Sequence, residues 1–454
     1  MYISKFELKN IRGVGPEGLT VDLAKPAIKA RGRLAGWTVI AGPNGYGKTT
    51  LLQGMAASLM GPSGGRLLIG PDDNRWLALG AESGTTITWV EHVPEDDCAA
   101  PDDETLKPVR LRVDWLRGGS VRTTFPRGNH NFVYSQFWDA FNVNSRPNGW
   151  IFLGYGPHRS IQRSSNDAYQ VIDQTRPRAS AVVGLFRYDA ALEKGHEWLK
   201  TLALGKVRED AAKEAVLEGV VRLLRDRLLQ PDREAELNID EEGVLKLRAP
   251  SGVELPVYAI GEGSRMLLNM VLDMLYQIDR FKPGRLLEEM VTWLGAPESR
   301  PVIEISGVVV IDEPENHLHP ALQQRLGFWM KDHFPNLQFI VCTHSALICQ
   351  AADKGGLFRM ASPFQVEVVG EDEWEAVTNG TLDDAIMTNL FGLSDPVAPE
   401  GRKIRAELGE LEREMQRRSA TPEMIARREA LLSQLPNSID IEVATALRRL
   451  AEGG

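Results

Sequence analysis

Cysteine is scarce in this sequence and long hydrophobic runs are missing. Three cysteines occur in 454 residues, Cys98, Cys342 and Cys349. Their spacing fits no metal-ligand pattern and an odd number cannot all pair, so a disulfide scaffold is excluded and a reduced, cytoplasmic setting is expected. No apolar stretch reaches the roughly 18 residues that a membrane span needs. The N-terminal MYISKFELKNIRG lacks the apolar centre of a secretory signal and alternates like a strand instead. No internal repeat is present. Positive charge is in deficit: 52 Lys and Arg against 62 Asp and Glu leave a net charge of −10. That balance excludes a passive coat for DNA, although local basic patches remain.

What is there is the composition of a globular protein, 43% hydrophobic and 25% charged. The length allows two or three domains with an ample core. Residues 2 to 9 place Ile3, Phe6 and Leu8 among the apolar positions of a strand. A second apolar run, Trp37 to Ile40, leads into a glycine-rich turn and a helix from Thr49. Between residues 65 and 126 the runs RLLIG, TTITWV and VRLRVDWL read as short strands. The acidic stretch PEDDCAAPDDETLKP reads as a loop. Helical patterns follow in ALEKGHEWLKTLAL and DAAKEAVLEGVVRLLRDRLL, then a hairpin in AELNIDEEGVLKLRAPSGVELPV. A further helix is expected around Ser264, and Val308 to Ile311 read as a buried strand. Beyond Pro399, Ile404, Leu408, Leu411 and Met415 share a helical face, and Thr421-Pro422 reads as a cap with proline at the first helical position.

Two segments carry chemistry. Gly42-Pro43-Asn44-Gly45-Tyr46-Gly47-Lys48-Thr49 matches G-x-x-x-x-G-K-[ST] at every fixed position, between a strand and a helix as that motif requires. Its glycines let backbone N–H groups turn onto phosphates, Lys48 reaches the β- and γ-phosphates, and Thr49 offers a hydroxyl to Mg²⁺. In GVVVIDEPENHLHP, four aliphatics drive a strand into the core and deliver Asp312 and Glu313 at its C-terminal end, where open α/β sheets bind ligands. Asp312 is expected to hold Mg²⁺ and Glu313 to act as general base on the attacking water.

D-E-P-E-x-x-L-H-P resembles the Walker B and D-loop segment of ABC-type AAA-family ATPases of the SMC/RecF/OLD class. FELKNIRG and AGPNGYGKTTLL resemble the start of those proteins, and NLQFIVCTHSALI resembles their switch strand. The resemblance implies that His344 touches the γ-phosphate and that His317 and His319 shape the D-loop. It implies hydrolysis between two subunits, with a signature helix from one capping the nucleotide of the other. YAIGEGSRMLLNMVLDML is the segment that corresponds, so Gly261, Glu262, Gly263 and Ser264 would contact a partner's nucleotide. The family's serine is replaced there by Gly261 or Ile260. In IFLGYGPHRSIQRSS, about where the class carries its Q-loop, Gln162 is the match by residue type and Arg159 the alternative phosphate or partner contact. The resemblance adds Thr50, Gly42, Asn44, Gly45 and Gly47 to the nucleotide contacts, with ATP and Mg²⁺ as the ligands.

About a hundred residues separate Ser160 from Gly261, and they hold no sustained heptad array. The expected fold is therefore an α/β P-loop NTPase with an ABC-ATPase-like head and no coiled-coil arm. Its expected parts are a β-rich N-terminal ATPase lobe over 1–186, a helical lobe over 187–300, a C-terminal ATPase lobe over 301–398 and a helical tail over 399–454. IDIEV, near the C-terminal end, is a poor match to the acidic strands of a Toprim nuclease, so no nuclease is expected in the chain. DAIMTNLFGLSDP, LGELEREM and REALLSQL resemble the tail of stand-alone ATPases of antiphage defence systems such as Septu and retron-associated systems, and more distantly PARIS. The implied role is a regulatory or scaffold ATPase that pairs as a homodimer or higher oligomer and controls an effector nuclease encoded by a neighbouring gene. The other reading kept open is a RecF-like DNA-binding ATPase of repair or recombination, contacting nucleic acid through PHRSIQRSS and VVRLLRDRLL. No membrane partner is implied.

Overall fold

The computed structural model describes residues 2–23, 36–70, 75–91, 109–118, 121–123, 151–159, 172–187, 192–226, 236–240, 244–248, 251–256, 261–296, 300–393, 397–417 and 420–435. They fall into two compact units, 1–392 and 393–454.

The N-terminal strand β1 (Tyr2–Lys9) buries Ile3, Phe6 and Leu8 on one side. Ile3 and Phe6 are three residues apart, which breaks a period of two. A register shift between Ile3 and Lys5 against β4 (Ser83–Glu91) restores the alternation, as a bulge does. With β2 (Leu19–Asp22), β5 (Val109–Leu116) and β6 (Val121–Thr123) these strands form an antiparallel sheet ordered β2-β1-β4-β5-β6.

The second sheet runs β14-β13-β3-β12-β11-β7. It joins β3 (Trp37–Ala41), β7 (Ile151–Tyr155), β11 (Gly307–Asp312), β12 (Leu337–Thr343), β13 (Leu357–Ser362) and β14 (Gln365–Val368). All its pairs are parallel except β13 with β14. Every residue of β3, β7, β11 and β12 is buried, which is why these runs are predominantly apolar rather than alternating. On one face Val309, Ile311, Phe339 and Val341 meet the helical core. That core is built by α3 (Glu193–Val207), α4 (Ala211–Arg225), α5 (Glu262–Phe281), α6 (Arg285–Leu294) and α7 (Pro320–His333). On the other, Val308, Val310 and Ile340 pack with α1 (Lys48–Leu59) and the first sheet. The chain is thus an α/β P-loop fold whose phosphate-loop helix lies between two sheets.

RLLIG is not a strand. Arg66 to Ile69 complete α2 (Gly61–Ile69), which starts with proline in its first turn and lays Gly65 against the Trp115 ring and the Ala57 carbonyl. The apolar run is too short for its period to be read, and the glycine contact that sets it is remote in sequence. The expected hairpin after α4 is a three-stranded antiparallel sheet of β8 (Glu236–Ile239), β9 (Leu245–Arg248) and β10 (Glu254–Pro256). After β14 come α8 (Glu371–Asn379) and α9 (Leu382–Met387).

In the second unit, α10 (Pro399–Arg417) and α11 (Pro422–Leu432) are joined by ion pairs from Arg427 to Glu407 and from Arg428 to Glu412. Ile404, Leu408, Leu411 and Met415 form a half-buried stripe on α10. Thr421 caps α11 by accepting the Met424 N–H. Residues 436–454, with IDIEV, lie outside the described residues. Among the described residues no helix is long and apolar enough to cross a membrane.

Candidate nucleotide site

Strand order brings the motifs together. The phosphate-loop strand β3 and the acidic strand β11 are not neighbours, because β12 runs between them. Cys342 is level with Asp312, and Thr343 with Ala41. Three motifs therefore leave the sheet at one edge, at the carboxyl ends of parallel strands where a crevice forms.

The loop from Gly42 to Gly47 exposes Asn44 and Gly45 at its tip. Gly47 has φ 100°, and a Cβ there would fall 2.3 Å from the Phe364 ring. Glycine is thus required twice, for the left-handed backbone and for the close approach. Phe364, at the β13–β14 turn, also donates its N–H to the Tyr46 carbonyl (3.0 Å), pinning the loop from a remote hairpin. No side chain caps the N-terminus of α1, so its first amides are left for an anion. Lys48 is 5% exposed, and its Nζ donates to the Gly42 and Pro43 carbonyls (2.7 and 3.0 Å). Thr50 turns inward and accepts from Arg12 (3.3 Å).

Asp312 is 1% exposed. Its Oδ2 accepts the Thr49 hydroxyl at 2.6 Å, and Oδ1 is buried without a partner among the described residues. Burial raises its pKa to about 6, against the hydrogen bond from Thr49. A buried carboxylate with an open oxygen, bonded to a phosphate-loop hydroxyl, is a donor set that suits a hard divalent cation. The residues present therefore fit ATP with Mg²⁺, with Thr49 and Asp312 as the candidate metal contacts.

Glu313 follows with φ 47°. A non-glycine residue in the left-handed region costs about 1–3 kcal/mol and persists only where its surroundings impose it. Here its N–H donates to the Cys342 carbonyl (2.8 Å), and its Oε2 accepts from Asn316 Nδ2 (3.0 Å). The third constraint is Arg159, 2% exposed. Its guanidinium donates to the carbonyls of Gly156 (3.0 Å), Asp312 (2.7 Å), Glu313 (2.8 Å) and Pro314 (3.4 Å). Burial pulls its pKa down to about 10, with Glu315, Asp312 and Glu313 acting in the opposite sense. Arg159 therefore points into the protein, onto backbone, and not outward to a phosphate or partner. Gln162 lies outside the described residues.

His344 is half exposed, and its Nδ1 lies 3.2 Å from Glu315. The same Glu315 oxygen accepts the Thr343 hydroxyl (2.6 Å) and the His344 N–H (2.8 Å). A carboxylate on one ring nitrogen fixes the imidazole and leaves Nε2 for a ligand. Sequence reasoning missed Glu315, the second glutamate of D-E-P-E, although the motif contains it. His319 caps α7, its Nδ1 accepting the Ala321 N–H (3.2 Å).

Gly261 and Glu262 are exposed at the start of α5, Ser264 is half-buried and Gly263 is buried. A Cβ on Gly263 would lie 2.0 Å from the His317 carbonyl oxygen, so only glycine lets α5 rest on the turn after the acidic strand. Along α5 a polar stripe faces inward. Asn269 Nδ2 donates to the Arg159 carbonyl (3.2 Å) and its Oδ1 meets His196 (2.8 Å). Asp273 accepts from the Tyr155 hydroxyl (2.9 Å) and Gln277 (3.3 Å).

Burial lifts the Asp273 pKa from 3.8 to about 6, with Tyr155, Gln277, Arg280 and Lys194 pulling the other way. The folded protein thus holds this proton more tightly than the unfolded chain. Stability from this group is full below pH 3.8 and lost as pH rises through about 6. Asp273→Asn removes the ionised form, and we expect it to be more stable than the natural protein at pH 8 by on the order of 2 kcal/mol. The difference should vanish near pH 4. Thermal unfolding midpoints across that range check it, and a variant less stable at pH 8 than at pH 4, relative to the natural chain, would contradict it.

A phosphate loop, a carboxylate-bound histidine and an acidic strand end, carried on the successive strands β3, β12 and β11, are the parts of a P-loop nucleotide site. Comparison with known proteins agrees. Residues 127–350 match the family described as "AAA domain, putative AbiEii toxin, Type IV TA system", and residues 5–74 match a second family described as "AAA domain". The two matched stretches together take in the phosphate loop, the acidic strand and His344, all as AAA-domain sequence. It is 28% identical to "Retron Ec83 probable ATPase" of Escherichia coli over 31% of this chain and 22% of that protein. It is 22% identical to "Septu protein PtuA" of Bacillus mycoides (strain KBAB4) over 87% of this chain and 45% of that one. The chain thus spans less than half the length of these relatives. Among solved structures, an SMC head bound to the C-winged helix domain of ScpA aligns with a TM-score of 0.44 at 17% identity, over 81% of this chain and 98% of that one.

Proposed function

We propose that the protein binds ATP with Mg²⁺ and hydrolyses it between paired copies of itself, and that this cycle controls a separate effector, a nuclease, in an antiphage defence complex. The observation that carries the ATPase reading is the Thr49–Asp312 hydrogen bond at 2.6 Å, which joins the phosphate loop to the acidic strand beside a carboxylate oxygen that has no partner among the described residues. Lys48 and the first amides of α1 would hold the phosphates, and Thr49 and Asp312 the metal. Bound Mg²⁺ would supply positive charge against the β- and γ-phosphates. Glu313 would accept the proton of the attacking water, and His344 would bond the γ-phosphate through Nε2. The exposed start of α5 at Gly261 and Glu262 would meet the nucleotide of a second copy. A triphosphate touching both copies favours the closed pair, and a tens-fold to hundred-fold difference in affinity gives roughly 2–3 kcal/mol of bias. Loss of the γ-phosphate removes it. The defence setting is supported by the likeness to the retron and Septu proteins.

The test is to express Glu313→Gln with the genes that neighbour it, purify it with ATP and Mg²⁺, and weigh the chains that co-elute. A stoichiometric nuclease is the expected result. A protein that emerges alone and binds DNA with a steep salt dependence would replace this reading with a repair ATPase.

A further inference from the structure

Arg159 is buried and carries a full charge, and among the described residues it makes no ion pair at hydrogen-bond range, its four hydrogen bonds going to backbone carbonyls. Three of those carbonyls are consecutive, Asp312, Glu313 and Pro314. Consecutive carbonyls in a strand point in opposite directions, so their convergence on one guanidinium requires the backbone to turn. The turn is at Glu313, the residue with φ 47°. Remove the guanidinium and the Asp312 and Pro314 carbonyls would lose this donor, while the Glu313 carbonyl would keep only the Asn316 N–H at 3.2 Å. The planar fork suits this task, because it reaches several acceptors from fixed directions where an ammonium reaches fewer.

We infer that Arg159 is a positioning residue for Glu313: it holds the acidic-strand backbone in the turn that aims the Glu313 carboxylate, and Asn269 ties it to the helix whose start would meet a second copy. This rests on the reading of Glu313 as general base. The Arg159 main chain is itself held, since its carbonyl accepts from Asn269 on α5. Asn269 is 1% exposed and its other amide atom is engaged by His196, so it cannot turn away. Gly263, two turns earlier on α5, rests on the His317 carbonyl in the same loop. The helix thus grips the segment after Asp312 at two places, directly through Gly263 and indirectly through Asn269 and Arg159. Movement of α5 on pairing would be transmitted to the Glu313 backbone.

The variant is Arg159→Lys, which keeps the charge and loses the fork. We expect the affinity for ATP and KM to stay within about twofold while kcat falls about a hundredfold, the loss that a misplacement on the order of 1 Å produces. Combined with Glu313→Gln it should lower kcat no further than Glu313→Gln alone, since both act through one group. Should Arg159→Lys fail to fold, Asn269→Ala carries the test, with kcat reduced several-fold at unchanged ATP affinity. A natural kcat in whichever variant folds, or a raised KM with kcat unchanged, would overturn the inference while Glu313→Gln remained inactive. Natural turnover by Glu313→Gln would instead remove the general-base reading and the inference with it.

Discussion

Glu313→Gln should bind ATP with affinity within a few-fold of the natural protein and hydrolyse it about 10²- to 10⁴-fold more slowly, the range that loss of a general base produces. The separation of binding from turnover follows from the geometry. Glutamine keeps the length of the side chain, and its amide oxygen can still accept from Asn316, which bonds Glu313 Oε2 at 3.0 Å. The backbone constraints on this residue, from the Cys342 carbonyl and from Arg159, do not involve the carboxylate at all. The loop, Lys48, Thr49 and Asp312 should therefore be undisturbed. What is lost is the ability to take a proton. Single-turnover hydrolysis measured beside equilibrium ATP binding separates the two quantities. If paired copies close on ATP, the slow variant should also accumulate as a dimer when ATP and Mg²⁺ are added, visible by light scattering. Turnover at the natural rate would reassign the base.

Local pattern made the ends of the site legible. G-x-x-x-x-G-K-[ST] between strand and helix specifies a backbone shape through its own residues, so the loop from Gly42 to Thr49 and the start of α1 could be written down before any contact was known. Four aliphatics before Asp312 announce a strand buried on both faces, and β11 spans that run. Remote contacts were not legible. Arg159 read as an alternative phosphate or partner contact because its segment lies about where the resembling class carries its Q-loop; its bonds to residues 312–314 span more than 150 positions. Phe364 read as nothing in particular, yet it lies against Gly47. Glu315 was visible as a letter of the motif. Its function as the anchor of Thr343 and His344 depends on β12 lying beside β11, and periodicity does not fix strand order. RLLIG failed for a related reason, since α2 owes its place to a glycine against Trp115.

Lys48→Ala is the substitution expected to remove nucleotide binding. The Lys48 ammonium is buried and donates to the Gly42 and Pro43 carbonyls, so the loop is shaped around the charge. Cutting one partner from a desolvated, hydrogen-bonded charge pair costs about 2–5 kcal/mol, which corresponds to roughly 30-fold to several-thousand-fold in affinity. Arginine should not restore it, because a planar fork is bulkier than the ammonium that fits against these two carbonyls. The fold should survive, since Pro43 is exposed and its carbonyl can turn to water once the ammonium is gone. The measurement is a titration with ATP and Mg²⁺ by calorimetry, beside a thermal unfolding curve of the nucleotide-free variant. Lost binding with an unfolding midpoint near that of the natural protein is the expected pair. Retained binding would mean that the amides of α1 and the metal contacts suffice, and that the ammonium serves the loop and not the phosphate. The two variants then divide the site between them. Lys48 governs whether ATP is held, and Glu313 how long it stays intact, so a system that needs bound ATP alone would tolerate loss of the second and not of the first.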